Sequence, residues 1–259
     1  MSFVQFDDLR LHYRTDGDPA RPCVVFSNSL GTDLGMWDPQ AEALARDFYV
    51  LRYDTRGHGQ SGRGGEPVTL ELLGRDVVGL LDTLAIPRAH FCGISMGGLT
   101  GQWLGIHQPQ RIGKLVLANT AARIGTSEGW LARAEQVRRD GMDGVASGAA
   151  ARWFTPAFIE HERHTVDHLV RRLREQDPEG YAACCDALAE ADLRSTVKGV
   201  TARTLVVAGS GDPVTTVADG EWLATTIRTA ELAVVPASHI SNIEAQPVFT
   251  AYLRRFLGA

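Results

Sequence analysis

Ser95 stands in the run Cys92-Gly93-Ile94-Ser95-Met96-Gly97-Gly98, fenced by glycines two residues away on either side. An apolar stretch precedes it, and a helical pattern over 95–107 follows and stops before Pro109. A serine at so tight a strand-to-helix turn is driven into an unfavourable backbone conformation. Its neighbours two residues away crowd it, and only glycine leaves room. The hydroxyl is then exposed at a helix N-terminus, where the dipole favours developing negative charge. Gly-x-Ser-x-Gly in that setting is the pattern of a nucleophile for acyl transfer. Such a serine needs a base and an acid to orient the base. Asp212, in Gly209-Ser210-Gly211-Asp212-Pro213-Val214, follows a predicted strand at 204–208. His239, in Pro236-Ala237-Ser238-His239-Ile240, follows a predicted strand at 231–235. Two successive parallel strands would deliver both groups to the sheet edge that carries Ser95, in the chain order expected of this arrangement. An oxyanion would need two donors. The N–H of Met96 is one, and that of Leu30, in the loop Asn28-Ser29-Leu30-Gly31 after the first buried strand, is the other.

Other chemistry-bearing residues read as structural. His58, in Asp54-Thr55-Arg56-Gly57-His58-Gly59-Gln60-Ser61, is redundant as a base beside His239. His161, His164 and His168 fall along one face of a predicted helix, where a solvated cap helix is expected rather than a metal site. Cys23 and Cys92 lie in predicted core strands, and Cys184 and Cys185 are adjacent. That is neither a disulfide framework nor a zinc spacing, so reduced thiols and a cytoplasmic location are expected.

The elements that must position these groups alternate. Strands are predicted at 23–27, 49–53, 90–93, 114–118, 204–208 and 231–235, most of them apolar throughout, as in a parallel sheet covered on both faces. Segments 2–6 and 9–14 flank Asp7-Asp8 and read as an antiparallel hairpin at one edge. Helices are predicted at 70–84, 95–107 and 246–257. The expected class is α/β, a mostly parallel sheet with helices on both faces. Between 122 and 196 the alternation breaks into helical patterns alone, around 130–139, 143–151, 157–174 and 179–193. Residues 1–121 and 197–259 therefore form the core, and 122–196 an inserted helical cap.

Bulk properties narrow the partners. The net charge of −5 favours neither nucleic acid nor an acidic membrane surface. No window approaches the ~20 apolar residues of a membrane span, and the first residues lack the pattern of a signal peptide. Of 26 basic residues only Lys114 and Lys198 are lysine, so arginine content in any one region says little.

Over its full length the chain resembles the α/β-hydrolase superfamily, and within it the 3-oxoadipate enol-lactonases. The narrower likeness rests on residues 30–40, 54–61 and 91–98, on Leu117-Ala118-Asn119-Thr120-Ala121-Ala122, and on 236–244. Thr216 and Gln246 depart from the family's pattern, away from the predicted triad. The resemblance implies an α/β-hydrolase fold, Ser95, Asp212 and His239 as catalytic residues, and hydrolysis of 3-oxoadipate enol-lactone in the β-ketoadipate route. It implies a small-molecule substrate and no metal or organic cofactor. That substrate bears a carboxylate, so a cation should face the pocket. Trp130 and Arg133, spaced i,i+3 early in the cap, are the candidates, with Trp153 as an apolar wall. The same fold and triad would also suit an esterase, a perhydrolase, a carbon–carbon bond hydrolase or a non-turnover receptor. Ser95 argues against a dehalogenase, whose nucleophile is aspartate.

Overall fold

The computed structural model describes residues 2–6 and 8–258. Asp7, half of the expected hairpin turn, lies outside the described residues, as do Met1 and Ala259. The strands are β1 (Ser2–Phe6), β2 (Leu9–Asp16), β3 (Cys23–Ser27), β4 (Tyr49–Tyr53), β5 (Ala89–Ile94), β6 (Ile112–Ala118), β7 (Arg203–Gly209) and β8 (Ala230–Val235). They form a sheet in the order β1-β2-β4-β3-β5-β6-β7-β8. β1 pairs antiparallel with β2 and β2 with β4; every pair from β4 to β8 is parallel. All of β3 is buried, which explains its unbroken apolar run, whereas the edge strand β8 exposes Val234.

The order of strands places the site. The chain leaves β3 for β4 on one side and returns to β5 on the other. β3 and β5 are thus neighbours, with Ser27 opposite Gly93, and a crevice opens beyond their carboxyl ends.

The helices are α1 (Asp38–Leu44), α2 (Leu70–Thr83), α3 (Met96–His107), α4 (Ser127–Asp140), α5 (Asp143–Ser147), α6 (Ala149–Trp153), α7 (Pro156–His161), α8 (Arg163–Arg174), α9 (Pro178–Glu190), α10 (Val217–Thr226), α11 (Ser241–Glu244) and α12 (Gln246–Leu257). In α2 the Thr69 side chain caps the first turn by accepting from Leu72 N–H, and Leu73, Val77, Leu80 and Leu81 are buried. α12 buries Phe249, Leu253, Phe256 and Leu257 along one face.

Helices α4 to α9 all lie between β6 and β7. The two ends of this block meet, Leu193 N–H donating to Ala122 O at 2.8 Å. Two expected helices are each broken in two. The one at 143–151 stops at Gly148, whose backbone leaves the helical basin (φ −99°, ψ 3°). The one at 157–174 breaks at Glu162 (φ −114°, ψ 39°). That break corrects the histidine row: His161 ends α7, while His164 and His168 belong to α8. Among the described residues no group of three or more His, Cys, Asp or Glu could hold a metal ion.

The four cysteines are free and buried, and burial pushes Cys23 and Cys185 up to about 12. Among the described residues no helix is long and apolar enough to cross a membrane.

Candidate active site

β5 ends at Ile94 and α3 begins at Met96, so Ser95 alone makes the turn. Its backbone stands at φ 57°, ψ −115°, a conformation that costs a non-glycine residue ~1–3 kcal/mol. The surroundings hold it there. Ser95 N–H donates to Ala118 O at 3.0 Å, and Ser95 O accepts from Thr120 Oγ1 at 2.8 Å and Leu99 N–H at 3.0 Å. The glycines serve the turn somewhat differently from expectation. A Cβ on Gly93 would stand 2.1 Å from Gly97 O, and one on Gly97 would stand 2.4 Å from Ser27 O. They make room for one another and for β3 rather than for the serine side chain.

Asp212 follows β7, His239 follows β8, and the two meet. His239 Nδ1 lies 2.8 Å from Asp212 Oδ2, and both side chains are almost wholly buried. Asp212 Oδ1 accepts from the N–H groups of Val214 and Thr215, at 2.8 and 3.1 Å. Its Oδ2 also accepts from Thr215 Oγ1 at 2.8 Å and Asn119 Nδ2 at 2.9 Å. Burial alone would raise this carboxyl; the bonds from His239, Asn119 and Thr215 outweigh it and hold Asp212 below its ordinary value. With Nδ1 facing a carboxylate, the ring carries its proton there and leaves Nε2 free to act as a base. Ser95 and His239 line one cavity, of about 320 Å³. Among the described residues no hydrogen bond joins Ser95 Oγ to the ring, a looseness common in free enzymes.

The other expected residues gather at the same cavity. Leu30, Trp130, Arg133 and Trp153 all line it. Met96 is buried at the start of α3, its N–H in the orphan position of the first turn. Trp130 is fixed by its Nε1–H donating to Ile124 O at 2.5 Å, and the Arg133 guanidinium lies 4.9 Å from the Trp130 ring. Trp153 is 5% exposed, and its carbonyl accepts from Ile240 N–H at 3.0 Å, one residue beyond His239.

Three contributors escaped the sequence reading. Arg152 also lines the cavity, its guanidinium donating to Val145 O at 2.7 Å. Burial, and then the charge of Arg133, pull it below the ordinary arginine value. Asn119 sits just past β6 in a left-handed conformation (φ 42°). Its Nδ2 reaches both Asp212 and the Ser238 carbonyl, and its Oδ1 accepts from Ser241 Oγ. Glu244 receives Ser238 N–H at 2.7 Å and bonds to Thr155 N–H and Thr155 Oγ1. His58 is buried outside the cavity lining, its Nε2 accepting from Gly31 N–H at 3.0 Å.

Comparison with known proteins agrees with this architecture. Residues 22–158 match the family model described as alpha/beta hydrolase fold. 3-Oxoadipate enol-lactonase 2 of Acinetobacter baylyi is 50% identical over 253 residues, covering 96% of this chain and 95% of that protein. 3-Oxoadipate enol-lactonase 1 of the same organism is 45% identical over 95% of this chain and 92% of its own length. The crystal structure of the enol-lactonase from Burkholderia xenovorans superposes with a TM-score of 0.97 at 45% identity, covering 100% of both chains. With the family model spanning more than half of its length and these relatives nearly all of it, the chain belongs to the α/β-hydrolase fold family, among the hydrolases that include the 3-oxoadipate enol-lactonases.

Proposed function

We propose that the protein hydrolyses 3-oxoadipate enol-lactone to 3-oxoadipate, a step of the β-ketoadipate pathway of aromatic catabolism, in the cytoplasm. His239 Nε2 takes the Ser95 Oγ proton as Oγ bonds to the lactone carbonyl carbon. The N–H groups of Leu30 and Met96 stabilise the oxyanion. Collapse breaks the ring C–O bond; the enol oxygen leaves, takes the proton from His239, and the enol tautomerises to the ketone. His239 then deprotonates a water that attacks the acyl-enzyme, and Ser95 departs with that proton. Asp212 keeps the ring in the working tautomer and stabilises its cationic form. Residues 122–196 act as a helical cap over the substrate pocket.

The observation that carries this reading is a pair of arginines, Arg133 and Arg152, in the lining of the cavity that also holds Ser95. Among the described residues no carboxylate forms an ion pair with Arg133 or Arg152, although both line the cavity. Two uncompensated cations in a half-enclosed pocket call for an anionic ligand, and the lactone's free carboxylate answers it.

The test is steady-state turnover of the lactone beside p-nitrophenyl acetate as a neutral control. A kcat/KM in the ~10⁴–10⁸ M⁻¹s⁻¹ range for the lactone, far above the control, is expected. Arg133→Ala and Arg152→Ala should each raise KM for the lactone and leave the neutral ester's nearly unchanged. Fast ester turnover with slow lactone turnover would overturn the substrate assignment, and Ser95→Ala should lower kcat about 10⁶-fold on whichever substrate works.

A further inference from the structure

We propose that His58 is a positioning residue for the oxyanion turn: its neutral imidazole accepts the Gly31 N–H and so aims the neighbouring Leu30 N–H at the tetrahedral adduct. The inference rests on the reading of Leu30 as an oxyanion donor.

The turn is built from few restraints. Thr32 N–H and Thr32 Oγ1 both donate to Ser29 O, at 3.1 and 2.7 Å, closing residues 29–32 into a loop. Gly31, at its apex, stands at φ +80°, where a glycine is free to take other conformations. A rotation there would swing the Leu30–Gly31 peptide plane, which is hinged through Leu30 Cα to the peptide that carries the Leu30 N–H, so a bond that pins Gly31 N–H also limits the Leu30 donor. Gly31 N–H points inward to His58 Nε2 at 3.0 Å. On its other side the apex abuts Leu173 and Tyr181, and a Cβ on Gly31 would stand 2.4 Å from the Leu173 side chain.

His58 is itself rigidly held and in the right chemical form. Its ring is buried, with Nδ1 facing Arg56 O at 3.2 Å. Nδ1 therefore holds the proton and Nε2 the lone pair that an N–H donor requires. Burial keeps the ring below the ordinary histidine value, although the Arg56 carbonyl and the charges of Asp54, Asp33 and Asp177 pull the other way. His58 N–H donates to Thr55 O at 2.9 Å, and Arg56 is clamped by both oxygens of Asp76. A histidine that merely filled space would need no lone pair directed at an amide. An apolar side chain of similar size would leave Gly31 N–H buried without an acceptor.

The experiment compares wild type, His58→Leu and His58→Gln, since the glutamine carbonyl can replace Nε2 as acceptor. Each is assayed for kcat and KM with p-nitrophenyl acetate and the lactone, and for inhibition by phenylboronic acid, which bonds to Ser95 and places an oxygen where the oxyanion forms. For His58→Leu, kcat should fall about tenfold or more, short of the ~10²–10³ for deleting a donor outright, with KM within about twofold. The boronate inhibition constant should weaken by the same factor as kcat, and His58→Gln should recover most of both losses. Boronate affinity that stays at the wild-type value while kcat falls would overturn the proposal, as would glutamine performing no better than leucine. If His58→Leu does not fold, His58→Gln against His58→Asn, whose shorter carbonyl falls short of Gly31, makes the same comparison. Because the ester and boronate readouts do not involve the lactone, failure of the substrate assignment and failure of this one are told apart.

Discussion

Asp212 accepts bonds at both of its oxygens, and its partners come from three strand ends. A carboxylate so satisfied stays ionised well into the acid range, because its depressed value keeps protonation below ordinary assay conditions. Asp212→Asn would put an N–H₂ where Thr215, Asn119 and His239 all donate, and would favour the wrong tautomer of His239. We expect kcat to fall about 10⁴-fold with KM little changed, measured on the lactone at neutral pH. That Ser95, Asp212 and His239 come together at one end of the sheet was legible, because their order and their places after apolar strands fix it in one dimension. Asn119 was not: nothing local distinguishes it, and its role exists only because β6 ends beside β7. Arg152 was hidden by composition, in a chain where nearly every basic residue is arginine. His58 was legible as buried structure, but its aim at Gly31 depends on two loops meeting from β3 and β4.

At the scale of elements, each predicted strand lies within two residues of its observed ends, because unbroken apolar runs flanked by turn residues admit few alternatives. The short helices were blurred. Gly148 and Glu162 interrupt patterns whose apolar spacing continues across the break, so periodicity alone joined them. Charged groups within the elements also matter. Arg56, in the loop after β4, and Asp76, on α2, are both buried and joined by two bonds of 2.6 Å. Asp76→Ala would leave the guanidinium buried and unpaired. That change should cost about 3–5 kcal/mol in denaturant unfolding, far beyond a surface substitution. A cost below about 1 kcal/mol would show that the loop relaxes to let water reach Arg56.

Across the whole molecule, stability should depend on pH through His90. Its Nδ1 accepts from Lys114 N–H at 2.9 Å, and burial, then the charges of Lys114 and Arg88, lower it to about 4. The unfolded chain regains the ordinary value of 6.5, so between these values it binds a proton that the folded chain refuses. This contribution is fully present above 6.5 and is lost as pH falls toward 4. The thermal midpoint of wild type should therefore drop more steeply across that window than that of His90→Gln; parallel curves would count against it. The Trp153–Ile240 bond and the Glu244 bridge to Thr155 have a consequence for anyone who would rebuild this protein. On the proposed mechanism, specificity and reactivity are not separable modules. A transplant of the helical block from a relative, spliced where Ala122 meets Leu193, would look tidy at its seams and still unseat His239 unless the donor brought matching partners for Ile240 and Glu244. On that reading the recipient would inherit a new substrate preference only with the stitches that hold His239 against Asp212.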